Sequence, residues 1–338
     1  MGITIKEIAR KSGYGVGTVS RALNSSPYLI KDETRKKIIK IAKKYGYIKD
    51  VSAQALVTGK STDIGLVIPA KFKSPYYSDF YMKVISGSID ALSEYGYKLR
   101  VLFLRGKTGL HEIMQESKAL KIGGLILSPY CRDYFIEAGD IKKLNMPVVL
   151  LGKDIRGENI RSIVLDDFKG GYDGTEYLIR LGHRRIGIIR GQLDDIETRF
   201  SGCVQAMKDN GIKTEDGFFL VGDGKKESGY KLAFDLMEKK NRPTAIFALD
   251  DEMAYGAVTA IKEKKLKCPE DVSVLGFDGI DSMMFMDPRL TTIVRPVSYM
   301  GEQAVKLLID GYLWKKRTCI KVQGEIEERE SCGKRKGG

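Results

Sequence analysis

The chain has 338 residues, 43% hydrophobic and 30% charged, with a net charge of +13. That length and balance suit two or three packed units and exclude a disordered or fibrous chain. No run of 18 apolar residues is present, and the opening MGITIKEIARK lacks the basic-then-apolar order of a secretory leader, so a cytoplasmic protein without membrane contact is expected.

Residues 1–47 divide into three short helices. Thr4-x-x-Glu7 has capping-box spacing, and Ile5, Ile8 and Ala9 share a face, predicting a helix over 5–12 that Gly13 ends in a left-handed cap. Val16 to Leu23 forms a second helix, with Val19, Ala22 and Leu23 inward and Thr18 and Arg21 outward. Asp32 is placed to cap a third, in which Ile38, Ile41, Ala42 and Tyr45 recur at helical spacing before Gly46. The stretch GYGVGTV (13–19) comes close to a dinucleotide-binding fingerprint, but that loop must follow a strand, and here a capped helix precedes it. A helix, a glycine-containing turn and a helix with a polar outer face instead make a helix-turn-helix, whose second helix enters the DNA major groove. Residues 1–60 hold thirteen Lys and Arg against four Asp and Glu, so they carry +9 of the total charge. A field so concentrated points to a polyanion.

Residues 48–62 read as a linker with a weak helix near Ala53 to Leu56. From Asp63 onward, nine apolar runs alternate with amphipathic helices: 64–69, 99–104, 123–128, 147–152, 162–166, 185–191, 245–249, 272–277 and 291–296. Strand and helix in alternation over more than 250 residues predict doubly wound α/β architecture in two sheets. The five cysteines stand singly, without a C-x-x-C pair, and are expected as reduced thiols. GDGKKES (222–228) lacks the first glycine of a phosphate loop, with Phe219 in its place, and reads as a surface loop. The acidic doublets Asp166-Asp167 and Asp194-Asp195 have no neighbouring His or Cys and read as solvated loops. His183 follows Leu181-Gly182, where an imidazole can satisfy last-turn carbonyls. No nucleophile, base and orienting group can be assembled, so neither an enzyme nor a cofactor or metal site is expected.

The residues TIKEIARKSGYGVGTVSRALN and DETRKKIIKIAKKYGYI resemble the DNA-binding domain of the lactose-repressor (LacI/GalR) family of bacterial transcription regulators. YLIRLGHRRIGIIRG, RFSGCVQAM, ALDDEMAYGAVTAI, CPEDVSVLGFDGIDS and PRLTTIVRP continue the resemblance in order. It implies a three-helix helix-turn-helix domain at 1–47, a hinge linker at 48–62, and a two-lobed, Rossmann-like sensor of the periplasmic-binding-protein type at 63–338. The lobes are expected near 63–161 plus 293–320 and 162–292 plus 321–332, joined by three crossovers. The resemblance puts base reading on Val16, Gly17, Thr18 and Arg21, and phosphate contact on Ser20, Asn24 and Thr34. Arg21 suits guanine O6 and N7, and Val16 suits a thymine methyl. Leu56, with Ala53 and Gln54, matches a hinge that wedges into the minor groove. Here Lys49 and Asp50 replace the usual proline and asparagine, and one extra residue lies between Leu56 and Gly59. In the sensor, Tyr76, Tyr77, Arg199, Asp250 and Asp278 match effector contacts. One arginine, two carboxylates and aromatic walls suit the vicinal hydroxyls of a sugar or sugar derivative, with a purine, amino acid or protein coeffector as alternatives. The expected function is a repressor that binds a near-palindromic operator as a homodimer under effector control. A solute-binding protein or a cytoplasmic enzyme on the same two-lobed scaffold is the alternative.

Overall fold

The computed structural model describes residues 3–23, 30–47, 62–69, 79–104, 109–128, 136–155, 160–191, 194–213, 217–309 and 317–335, and within these not the side chains of Arg21, Asp32, Pro69 and 194–196. The chain forms two compact units, Met1–Thr62 and Asp63–Gly338.

The first unit contains α1 (Ile5–Ser12), α2 (Val16–Leu23) and α3 (Asp32–Lys44). Thr4 and Glu7 close a reciprocal capping box, and Gly13, at φ 73°, returns its amide to Ala9 O at 3.0 Å. The positive φ there is open to glycine at little cost, so the corner after α1 is encoded by that residue. Ile8, Ala9, Val19, Ala22, Ile38 and Ala42 are buried together as the core of the three helices. Two expectations change. The residue before α3 is Lys31, which makes no side-chain cap, and Asp32 is already helical. Tyr45 is exposed, because the helix ends at Lys44 and its ring turns out to receive Lys11 Nζ at 4.2 Å.

The second unit holds two six-stranded sheets. The first comprises β1 (Asp63–Pro69), β2 (Lys98–Leu104), β3 (Gly124–Leu127), β4 (Val148–Leu151), β5 (Arg161–Leu165) and β11 (Thr318–Val322). The second comprises β6 (Ile186–Arg190), β7 (Phe219–Val221), β8 (Ala245–Ala248), β9 (Ser273–Asp278), β10 (Thr291–Val294) and β12 (Glu325–Glu327). Their orders, β11-β5-β4-β3-β1-β2 and β12-β10-β9-β8-β6-β7, repeat one doubly wound pattern. Every pairing is parallel except β10 with β12. All nine expected strands form. The chain passes between sheets after β5, after β10 and between β11 and β12. The expected lobe boundaries therefore move a few residues later, since Arg161–Leu165 pairs with β4 and β11 in the first sheet, and Thr291–Val294 pairs with β9 in the second.

The helices are α4 (Asp79–Tyr95), α5 (Gly109–Ala119), α6 (Ala138–Lys143), α7 (Asp167–Arg180), α8 (Asp194–Asp209), α9 (Lys226–Glu238), α10 (Asp251–Glu263) and α11 (Val297–Ile309). Three pairs, α4 with α11, α7 with α8 and α9 with α10, meet backbone to backbone through glycines on both partners. A Cβ at Gly87 would lie 1.9 Å from Ser298 O, one at Gly171 1.9 Å from Arg199 O, and one at Gly256 2.0 Å from Lys226 O. The α7–α8 crossing matters most for the site, because it seats the backbone of Arg199 against the helix that Asp167 begins.

Candidate functional site

Helix α2 has a buried side and an open one. Val19 and Ala22 are in the core, whereas Val16, Gly17 and, in part, Thr18 and Ser20 face outward. Gly15 O receives the amides of Thr18 and Val19 at 2.9 and 3.0 Å, so the second glycine of the turn starts the helix as Gly13 ends the one before. Thr34 is half-buried on α3. Lys6, Arg10, Lys11, Lys36, Lys37, Lys40, Lys43 and Lys44 are all exposed on this unit. Arg21 lies in α2 with its side chain outside the described set, and Asn24, Ala53, Gln54 and Leu56 lie outside the described residues. An exposed helix start on a unit that carries these exposed Lys and Arg side chains offers both a base-reading edge and attraction to phosphates.

The second unit gathers its polar groups at the carboxyl ends of β8, β9 and β10, beside the pair β6 and β8 where the direction of the crossovers reverses. In open α/β sheets ligands bind in the crevice outside the carboxyl ends of strands at such a switch point. Asp250 follows β8 directly, Asp278 ends β9, Arg295 follows β10, and Arg199 reaches in from α8. Arg199 is 2% exposed. Its Nε donates to Asp167 Oδ1 at 2.7 Å, its Nη1 donates to Leu249 O at 2.9 Å, and Asp278 Oδ1 lies 3.5 Å away. The guanidinium carbon lies over Phe277, 3.9 Å from the ring centre, which adds cation–π attraction. Arg295 Nε pairs with Asp278 Oδ1 at 3.0 Å and sits 5.1 Å over Phe80. Asp278 has φ 134°, a region costly for a residue with a Cβ, and its ion pairs hold it there.

Asp250 caps α10, with Oδ1 accepting the Met253 amide at 2.7 Å. Burial, and then the neighbouring Asp278 charge, push its carboxyl up to about 7. Asp251 is buried further along the same turn. Burial and Asp278 raise it to about 6, against hydrogen bonds from the Thr292 hydroxyl at 2.6 Å and the Ile280 amide at 2.8 Å. Four carboxylates and two guanidiniums thus share one strand-end cluster with two aromatic faces.

Of the residues expected to touch an effector, the fold brings Arg199, Asp250 and Asp278 together, while Tyr76 and Tyr77 lie outside the described residues. Asp167 corrects the solvated-loop reading of its doublet: it is 7% exposed and carries the principal ion pair of Arg199, while Asp166 caps α7 by accepting the Lys169 amide. The doublet was the visible signal, and its partner, 32 residues on, was not. Arg295, Phe80, Phe277 and Thr292 were also missed, since nothing local marks them. His183 is structural but serves different atoms from those expected. Nδ1 meets Thr244 Oγ1 at 3.0 Å and Nε2 meets Gly333 O at 3.1 Å, tying the C-terminal segment to the second sheet; burial lowers its pKa.

Residues 4–50 match the model of bacterial regulatory proteins of the lacI family, and residues 175–332 match a periplasmic binding protein-like domain. The chain is 35% identical over 312 residues to a protein of Bacillus subtilis (strain 168) named "Probable HTH-type transcriptional repressor ExuR", covering 91% of this chain and 92% of that one. Among solved structures, a transcriptional regulator CelR–cellobiose complex superposes with TM-score 0.70 at 23% identity, covering 97% of this chain and 99% of the other. A lac repressor dimer bound to operator and the anti-inducer ONPF superposes with TM-score 0.67 at 23% identity, covering 98% and 99%.

Proposed function

The chain belongs to the lacI family of bacterial regulatory proteins and is an effector-controlled DNA-binding transcriptional repressor, and from that premise we propose how its residues divide the work. Val16, Gly17, Thr18 and Arg21 read bases from α2. Ser20, Asn24 and Thr34 fix its register on phosphates, and Leu56, with Ala53 and Gln54, wedges into the minor groove. The effector is a sugar or sugar derivative held by Arg199, Asp250 and Asp278. The observation that carries this reading is the cluster at the switch point of the second sheet: paired guanidiniums, buried carboxylates and aromatic faces are the groups that bind vicinal hydroxyls. The sugar complex of the CelR relative supports the same class. The reading assigns binding rather than catalysis.

The working unit is a homodimer, placing two α2 helices on successive turns of a near-palindromic operator. Phe285 is 85% exposed, and Met284 on the same 3₁₀ turn is 46% exposed, as expected of a face that a second copy covers. Control requires the effector to bind the two operator-affinity states unequally, since equal affinity shifts nothing.

The test is selection of duplexes from a random library by the full-length protein, followed by titration of the selected duplex at several salt concentrations with and without a panel of sugars. A two-fold symmetric consensus, affinity falling linearly with log salt, and a sugar that changes it are expected. Selection without symmetry, or salt-independent affinity, would refute the docking. Unchanged DNA affinity with every sugar that binds would refute the control.

A further inference from the structure

A cavity of about 650 Å³ lies where the first sheet begins two of its strands, with Val148 of β4, Arg161 of β5 and the helix α6 on its walls. That volume is within the ~300–1,000 Å³ range of small-molecule sites. The strand-end cluster belongs to the carboxyl ends of the second sheet, so the cavity is a separate place in the fold. Its shape follows from α6, which stops at Lys143, and from Asn145, whose φ of 48° turns the chain toward β4.

The lining divides into an apolar floor and a positive wall. Ile141, Val148 and Ile160 share one core cluster with Leu125 and Leu150, yet they keep 8, 8 and 5% exposure where those two leucines keep none. Half-buried Met146 packs on the same cluster, so the core stays open here where close packing would ordinarily seal it. The ionic lining residues are Lys142 and Arg161, and no carboxylate is among them. Arg161 is 3% exposed and its Nη1 donates to Leu307 O at 2.6 Å, in the last turn of α11, so the guanidinium is fixed in place and little screened by water. Lys142 stands exposed at the rim. Two neighbouring acids are engaged elsewhere: Asp140 accepts from Lys143 Nζ at 3.0 Å and from the Glu137 amide at 3.2 Å, and Asp154 accepts from the Ser162 hydroxyl at 2.6 Å and pairs with Arg317.

We propose that this cavity is a second small-molecule site, and that its ligand is an organic anion: a compact apolar body on Ile141, Met146, Val148 and Ile160 that carries one carboxylate or phosphate toward the charges of Lys142 and Arg161. A wholly apolar ligand would take those cations out of water with nothing in return, and a bare inorganic anion would leave the floor uncovered. A guanidinium and an ammonium both suit either acidic head, the first as a planar fork and the second as a point charge. The strand-end cluster, rich in carboxylates, repels such a ligand, so the two places select opposite chemistry. The site stands whether or not that cluster takes a sugar.

The experiment is calorimetry on the full-length protein with benzoate, phenyl phosphate, benzyl alcohol, acetate and inorganic phosphate, at low and at physiological salt. At least one of the two aromatic anions is expected to bind at a single site per chain, more tightly at low salt. Benzyl alcohol, which keeps the body without the charge, and acetate and inorganic phosphate, which keep the charge without the body, should each bind about tenfold more weakly or worse. Two variants locate the site. Lys142→Glu reverses the charge at the exposed rim, and Gly139→Phe places a ring in the cavity from a position where an added Cβ meets nothing within 4 Å. Each should weaken the aromatic anion about tenfold or more while the melting temperature stays close to that of the wild type. Lys142→Glu carries the test if the larger side chain at 139 disturbs α6. Failure of both aromatic anions to bind at millimolar concentration, equal binding of benzyl alcohol, or binding that a folded variant leaves unchanged would overturn the proposal.

Discussion

Replacing Asp167 by asparagine tests whether the Arg199 cluster is held by charge or by shape. Arg199 is 2% exposed, donates to Asp167 at 2.7 Å and lies on Phe277. Removing one partner of a buried pair leaves an uncompensated charge and costs about 3–5 kcal/mol, much more than the pair contributes over an apolar replacement. Asp278, 3.5 Å from the guanidinium, remains as a second anion, so the lower end, about 3 kcal/mol, is expected. With roughly 2.1 cal/mol/K of unfolding entropy per residue across the Asp63–Gly338 unit, that loss lowers the melting temperature by about 5 °C. Circular dichroism melting of wild type, Asp167→Asn and the double variant Asp167→Leu/Arg199→Met is the assay. The double variant should recover most of the loss, since it removes both charges. A single variant that melts within about 1 °C of wild type would refute the argument, as would a double variant no better than the single one.

Other consequences are as direct. Arg21→Ala should cost about 1–3 kcal/mol at one base position of the selected operator and relax preference there; equal weakening on every sequence would make Arg21 a phosphate contact. Thr4→Ala opens the capping box of α1 and should destabilise the first unit by about 1 kcal/mol in denaturant melts, whereas no change would mean the cap is redundant. Gly202→Ala forces a Cβ to within 2.0 Å of Phe168 O at the α7–α8 crossing, so a loss of about 1–3 kcal/mol or more is expected. Gly139→Ala, which meets nothing within 4 Å, is the control and should be neutral or mildly stabilising; similar losses at both sites would remove the close-packing explanation.

Much of the fold could be read in advance because its signals are short-range. A capping box, a glycine at a helix end and a short run dominated by apolar residues each act within one element, and α1, α2 and the nine expected strands follow from them. The strands that escaped were of another kind. β7 is apolar but only three residues long, Thr318–Val322 includes Lys321, and Glu325–Glu327 alternates, as strands with a solvent-facing side do, so none presents an apolar run of four or more. The third helix was placed correctly but its cap was not, because Lys31 precedes it without any side-chain bond to mark the boundary.

By itself, the sequence determined the helix-turn-helix, the alternation of strand and helix, and the asymmetry of charge. These depend on residue type, period and local backbone preference. Only the tertiary structure decided the environment of each charge. Asp167 looked like one acid of a solvated doublet until folding put it 2.7 Å from an arginine 32 residues away, inside a layer that excludes water. Asp250 became a buried carboxylate with one oxygen unpaired among the described residues for the same reason, and the helix glycines, unfavourable in isolation, became the places where backbones touch. Burial and partnership are sums over distant segments, and they set both the cost of a charge and the ligand it selects.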